Sequence, residues 1–179
     1  LNAWGGQPLP LNASCWVEDA GVGTLFLRLR GAAAAVDAAC RSLGGERQAL
    51  AQVAADWIAC RDQRLPWFAA RDPAQGLWRL SVPQTAPVLA LPAGVGAPLV
   101  EWHGGQRWYA APVEAVGEIR AAASAVGGHA TLFMSAAGAA TAPRRFDALG
   151  APIQRIHDAL VHEFDPHAVF DRTRLFPSS

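Results

Sequence analysis

Alternation of apolar and polar positions predicts strands in both halves of the chain. Leucine occupies every second position of 24–30, as Leu25, Leu27 and Leu29, and this is the period of a half-buried strand. The glycine-containing stretch His103-Gly104-Gly105 separates two further apolar runs and predicts a hairpin turn. Strands are also predicted over 15–17, 77–82, 99–102, 106–110 and 129–134.

Apolar residues at three- and four-residue spacing predict four helices. They cover 32–43, 49–62, 113–126 and 152–164, and the last is expected to turn Ile153, Ile156, Leu160 and Phe164 inward. Residues 135–150 are small and polar and are expected to be irregular. The element order β-β-α-α-β-β-β-α-β-α favours an α+β fold, an antiparallel β-sheet with helices packed on one face, in ferredoxin-like halves.

Composition excludes several classes of function. The 179 residues carry a formal net charge of zero, with no basic patch of the kind that binds nucleic acid. The sequence has no run of about 18 apolar residues, so no membrane-spanning helix is predicted. Three dispersed cysteines and unpaired histidines give no metal-ligand spacing, so no metal site is predicted. We expect a cytoplasmic protein and, because the chain starts at Leu1 in a Gly/Pro-rich segment, a fragment of a longer one.

Several short segments of the sequence resemble those of a known family of flavoproteins. After Phe164, the run Asp165-Pro166 followed by Val169-Phe170 is similar to the C-terminal signature of FAD-linked oxidases of the vanillyl-alcohol oxidase type, although 171–174 departs from its Asn-Pro-Gly-Arg turn. Four further segments resemble the second half of the FAD-binding E subunits of bacterial glycolate oxidases: 9–16 (LPLNASCW), 77–83 (LWRLSVP), 101–108 (EWHGGQRW) and 127–133 (GGHATLF).

This resemblance implies a division of labour. Residues 1–13 would be a linker or docking segment, 14–164 a cap (substrate) domain and 165–179 a C-terminal tail, with the N-terminal FAD-binding domain absent from this chain. FAD would be held mainly by that absent half. The implied partners are the protein's own FAD domain, a related FAD subunit, an iron–sulfur subunit and a small 2-hydroxy acid, in a complex that associates peripherally with the inner membrane. An isolated fragment is expected to be able to dimerise.

The implied chemistry selects two candidate catalytic residues. Oxidation of a 2-hydroxy acid needs a base for the hydroxyl proton and a cation for the carboxylate. His129, after two glycines, is the candidate base, and Arg79, in the middle of a strand, is the candidate carboxylate ligand. The alternatives are a histidine hydrogen-bonded to backbone and a surface arginine.

Other residues are candidates for binding. A substrate pocket or interface is expected to include Trp78, together with Trp102, His103, Arg107 and Trp108 of one hairpin. For the four hairpin residues, the alternative is that aromatic pairing across the strands stabilises the hairpin. Arg172 and Arg174 are candidate FAD contacts, or else exposed tail residues. The competing function is a non-catalytic α+β module that binds a small molecule or dimerises.

Overall fold

A computed structural model describes residues 1–19, 21–138 and 143–170. The strands are β1 (Leu11–Asp19), β2 (Val22–Leu29), β3 (Gly76–Ser81), β4 (Leu99–Glu101), β5 (Gln106–Ala111) and β6 (His129–Met134). The helices are α1 (Asn2–Gly5), α2 (Ala33–Leu43), α3 (Leu50–Arg61), α4 (Pro66–Ala69), α5 (Val116–Ala125) and α6 (Ala151–Phe164).

The predicted elements are all present, and the α+β class with an antiparallel sheet is confirmed. The single-turn helices α1 and α4 were not predicted, because one turn is too short to show a helical period. β1 begins at Leu11, so the first strand reaches into the segment that we expected to be a linker.

The sheet joins one ferredoxin-like unit to a hairpin. Its six strands lie in the order β2-β1-β4-β5-β3-β6, and every neighbouring pair is antiparallel. Within it, β6-β3-β5-β4 is the strand order of a ferredoxin-like unit, and β5-α5-β6 is a split βαβ unit, because β3 lies between the two parallel strands β5 and β6. The first half of the chain contributes the β1–β2 hairpin, which extends this unit at the β4 side.

Both faces of the sheet are covered, whereas we expected helices on one face only. On one face, called the α5 face, Trp78, Leu80 and Tyr109 pack in a core with Ile119 and Ala123 of α5. On the other, called the α3 face, the core is formed by Leu77, Leu99, Trp108, Cys15 and Cys60, with Trp57, Trp67 and Phe68 packed against it. The side chains of adjacent residues such as Leu77 and Trp78 point to opposite faces of the sheet, so β3 is buried on both sides.

The two edges of the sheet differ. Along β6, a strap formed by 144–147 supplies hydrogen-bond partners: Leu132 donates its N–H to the Arg145 carbonyl at 2.8 Å, and Ala130 donates to Asp147 Oδ2 at 3.2 Å. Arg120 of α5 holds the strap through an ion pair with Asp147 at 3.1 Å. At the other edge, β2 pairs with β1 alone among the described residues.

Helix α6 differs from the expectation in its surroundings. Its amphipathic pattern is present, but Ile153, Ile156, Leu160 and Phe164 are exposed, and none of its described residues is buried. Periodicity identifies an apolar face and does not identify what covers it.

Candidate functional site

Arg79 and His129 lie on the same face of neighbouring strands. Arg79 of β3 is opposite Thr131, and Ser81 is opposite His129 of β6. Opposite residues of an antiparallel pair point to the same face, so all four side chains belong to the α3 face. Arg79 and His129 are therefore diagonal neighbours, about 7–8 Å apart at the backbone and within reach of long side chains.

Arg79 is held by ring contacts and leaves its donors free. Its guanidinium lies 5.9 Å from the ring centroid of Phe133, and its cross-strand neighbour on the other side is Trp108. Trp108 in turn packs edge-to-face against Phe68 and Phe133, at centroid distances of 5.4 and 5.0 Å. No described residue accepts a hydrogen bond from Arg79, so its planar fork is available to an anion.

His129 is exposed at the first position of β6. Gly127 before it has a φ of 78°, and a Cβ at Gly128 would lie 2.4 Å from the Ser81 carbonyl oxygen. The two glycines thus allow the chain to turn tightly and approach the end of β3. As a result, the imidazole stands at the end of the sheet, where a small molecule could reach it.

Arg107 is buried and hydrogen-bonded to the backbone. It is 7% exposed, and it donates to three backbone carbonyls: Gly104 at 3.0 Å from Nε, Pro87 at 2.6 Å from Nη1 and Ala86 at 2.6 Å from Nη2. These bonds fasten the irregular connection between β3 and β4 to the sheet. Burial raises the pKa of Tyr109, and the nearby Arg107 partly offsets this.

Trp78 and Trp108 occupy the cores of the α5 face and the α3 face, and both are almost completely buried. In this structure they offer no surface to a substrate, because their rings are covered by the chain's own side chains.

Trp102 and His103 form the turn between β4 and β5 in an unusual conformation. Both have positive φ angles, 52° and 56°, and Gly104 follows with 100°. The turn is fixed from several sides, since His103 donates its backbone N–H to Ser14 Oγ at 2.8 Å and Arg107 binds the Gly104 carbonyl. Trp102 is 67% exposed, so the turn presents a large aromatic ring to solvent on a rigid support.

A buried carboxylate at Glu101 was missed in the sequence. It is 7% exposed and accepts hydrogen bonds from Trp108 Nε1 at 2.6 Å, Gln106 Nε2 at 3.0 Å and Cys60 Sγ at 3.1 Å. The available signal was the alternation of β4, which places Glu101 on the same face as the buried Leu99.

Two thiols adjoin this carboxylate. Cys60 donates its one S–H to Glu101 Oε1. The adjacent Cys15 thiol, burial and Glu101 raise the pKa of the Cys60 thiol. The interaction with Cys60 lowers the pKa of Cys15, against the opposing effects of burial and Glu101. The cluster therefore ties α3 to β1 and β4 with Cys60 in its protonated form.

The remaining candidates can be placed briefly. Arg172 and Arg174 lie outside the described residues. Within 1–19, 21–138 and 143–170, no three His, Cys, Asp or Glu side chains converge as a metal site. No helix in the described part of the chain is both long enough and apolar enough to cross a membrane.

Comparison with known proteins identifies one curated relative. The chain is 36% identical over 174 residues to glycolate oxidase subunit GlcE of Escherichia coli (strain K12). The aligned region covers 97% of this chain and 43% of that protein. The resemblance noted in the sequence is thereby confirmed, and the coverage agrees with one half of a longer subunit. No protein-family model and no solved structure matches the chain.

Proposed function

We propose that this chain is the cap region of an FAD-dependent 2-hydroxyacid oxidase subunit of the glycolate oxidase type. The observation that carries this proposal is the similarity to a glycolate oxidase subunit along 97% of the chain. FAD would be bound mainly by a preceding domain, and the complex would include a related flavin subunit and an iron–sulfur subunit in the cytoplasm, in peripheral contact with the inner membrane.

The residues on the α3 face fit a small hydroxy acid beside a flavin. Arg79 has an unused guanidinium fork that matches both oxygens of a carboxylate. His129 is exposed one diagonal step away, so one molecule with a carboxylate and an adjacent hydroxyl can reach both groups. Phe133 provides an apolar wall next to Arg79, which would strengthen the interaction of Arg79 with an anion by limiting water.

The proposed mechanism assigns one task to each side chain. Arg79 binds and orients the substrate carboxylate, and His129 accepts the proton of the hydroxyl group at an imidazole nitrogen. A bound flavin supplies the chemistry of accepting two electrons from the substrate C–H bond. Trp102, displayed at the same end of the sheet as His129, would contact the flavin domain or a partner subunit.

The test is stopped-flow reduction of the flavin by glycolate in the full-length subunit assembled with its partners. We expect His129→Ala to lower the rate by about 10²-fold or more with FAD retained. Arg79→Ala is expected to raise KM strongly, with partial rescue by Arg79→Lys, which keeps the charge and loses the fork. The matched controls are His162→Ala and Arg155→Ala on the exposed surface of α6, which should leave reduction unchanged.

If neither site variant alters reduction, the chemistry belongs to the related flavin subunit, and this chain has a supporting or electron-transfer role. If only Arg79→Ala acts, and through KM alone, the chain binds the substrate and the base lies elsewhere.

A further inference from the structure

We propose that strand β2 is a docking edge through which two copies of this protein join their sheets. The proposal rests on the contrast between the two edges of the sheet. The outer edge of β6 is occupied by the strap 144–147, whose Arg145 both accepts from Leu132 and donates from its side chain to the Phe133 carbonyl at 3.0 Å. Among the described residues, only β1 hydrogen-bonds to the backbone of β2.

The composition of β2 leaves this edge attractive to another strand. Proteins protect open edges with lysine, proline, bulges or very short strands. The eight residues Val22–Leu29 include no proline, and Val22, Thr24 and Phe26 are of types that favour strands. Val22 is 65% exposed and Phe26 is 45% exposed, so apolar surface lies directly at the open edge.

The one charge in β2 does not guard the edge. Arg28 donates from Nε to Asn12 Oδ1 at 2.7 Å, and its guanidinium lies 5.2 Å from the ring centroid of Trp57. Both contacts turn the side chain toward residues of its own chain. The guanidinium is thereby withheld from the position in which it would repel an incoming strand.

β2 is complementary to itself in an antiparallel pairing. When two copies are related by a two-fold axis perpendicular to the sheet, each residue of one β2 lies opposite a residue of the other β2 on the same face. At the axis, one residue lies opposite its own equivalent, and this residue is the centre of the pairing. Centring on Leu25 or on Phe26 overlaps the most residues, and it places Arg28 opposite Val22 or Thr24. Neither register brings like charges together, and both bring leucines of one copy against residues of the other on the α5 face. A second copy therefore fits the edge in hydrogen bonding, apolar contact and charge.

The test is sedimentation equilibrium of the full-length protein across the micromolar range. We expect a reversible dimer whose dissociation constant rises at least tenfold in Phe26→Lys, which puts a charge at the centre of the pairing. Val88→Lys, at a 95% exposed position in the connection between β3 and β4, is the matched control and should leave the dimer unchanged. Circular dichroism verifies that each variant is folded.

A second measurement fixes the geometry without depending on a destabilising change. Under copper–phenanthroline oxidation, Phe26→Cys should form a disulfide-linked dimer rapidly in the register centred on Phe26, and Leu25→Cys in the register centred on Leu25, because the central residue meets its own equivalent at the two-fold axis. Val88→Cys should not. A wild-type protein that stays monomeric throughout the range overturns the proposal. So does a dimer that persists in Phe26→Lys, or one that cross-links equally through Val88→Cys.

Discussion

Replacement of Glu101 by alanine is predicted to cause a large loss of stability. The carboxylate accepts N–H bonds from Trp108 and Gln106 inside the core of the α3 face, and alanine would leave both donors without an acceptor. A buried unsatisfied donor costs about 1–3 kcal/mol, so Glu101→Ala should lower the free energy of unfolding by about 2–6 kcal/mol. Glu101→Gln keeps an oxygen for the two donors and should cost only about 1 kcal/mol.

Urea unfolding of the full-length protein, followed by circular dichroism, measures this difference. Glu114→Ala is the matched control, because Glu114 is exposed and its removal should change the free energy by no more than about 0.5 kcal/mol. The reasoning is refuted if Glu101→Ala costs less than Glu101→Gln, or if the two are equally harmful, since the loss would then come from charge or volume and not from orphaned donors.

Two further predictions concern packing around the same sheet. Gly128→Ala should destabilise the protein by about 1–3 kcal/mol, because the added Cβ would lie against a backbone oxygen. The control is Gly117→Ala in α5, where an added Cβ meets nothing within 4 Å and should stabilise the protein by about 0.5–1 kcal/mol. Thermal unfolding compares the two variants. Maleimide at mildly alkaline pH should label Cys40 in the native protein and reach the buried Cys15 and Cys60 only after denaturation, because burial and the raised pKa keep the Cys60 thiol unreactive. Mass spectrometry follows the labelling. If Cys60 is labelled as fast in the native protein as in the denatured protein, the packing of α3 is contradicted.

Much of the fold could be predicted because local patterns specify it. The alternation of leucines in 24–30 gives a half-buried strand, and the structure shows Leu25, Leu27 and Leu29 partly buried with Phe26 exposed. Helical spacing likewise located α2, α3, α5 and α6. The burial of β3 on both faces could not be predicted, because the order of strands and the side on which each helix lies depend on contacts between distant segments.

The polar residues of the interior were harder to predict for the same reason. Cys60 and Glu101 are 41 positions apart, and Ser14 and His103 are 89 apart, so neither hydrogen bond leaves a local pattern. Arg107 stood beside aromatic residues in a motif and suggested binding, whereas its partners are carbonyls on a loop some twenty positions earlier in the chain. Only the folded chain shows that its donors are already used.

The distinction between used and unused polar groups is what narrows the candidate site. A buried arginine whose donors are taken by carbonyls, as in Arg107, contributes to the scaffold, because freeing those donors for a ligand would orphan the carbonyls. Arg79 is supported by aromatic rings, which fix its position without consuming its hydrogen bonds. His129 is likewise placed by backbone geometry and left exposed. Among the described residues, neither Arg79 nor His129 has a side-chain hydrogen-bond partner, and a cation beside a proton acceptor is the combination that the proposed 2-hydroxy acid would need. The kinetics of flavin reduction by glycolate in Arg79 and His129 variants therefore test the proposed function more directly than changes at any buried residue.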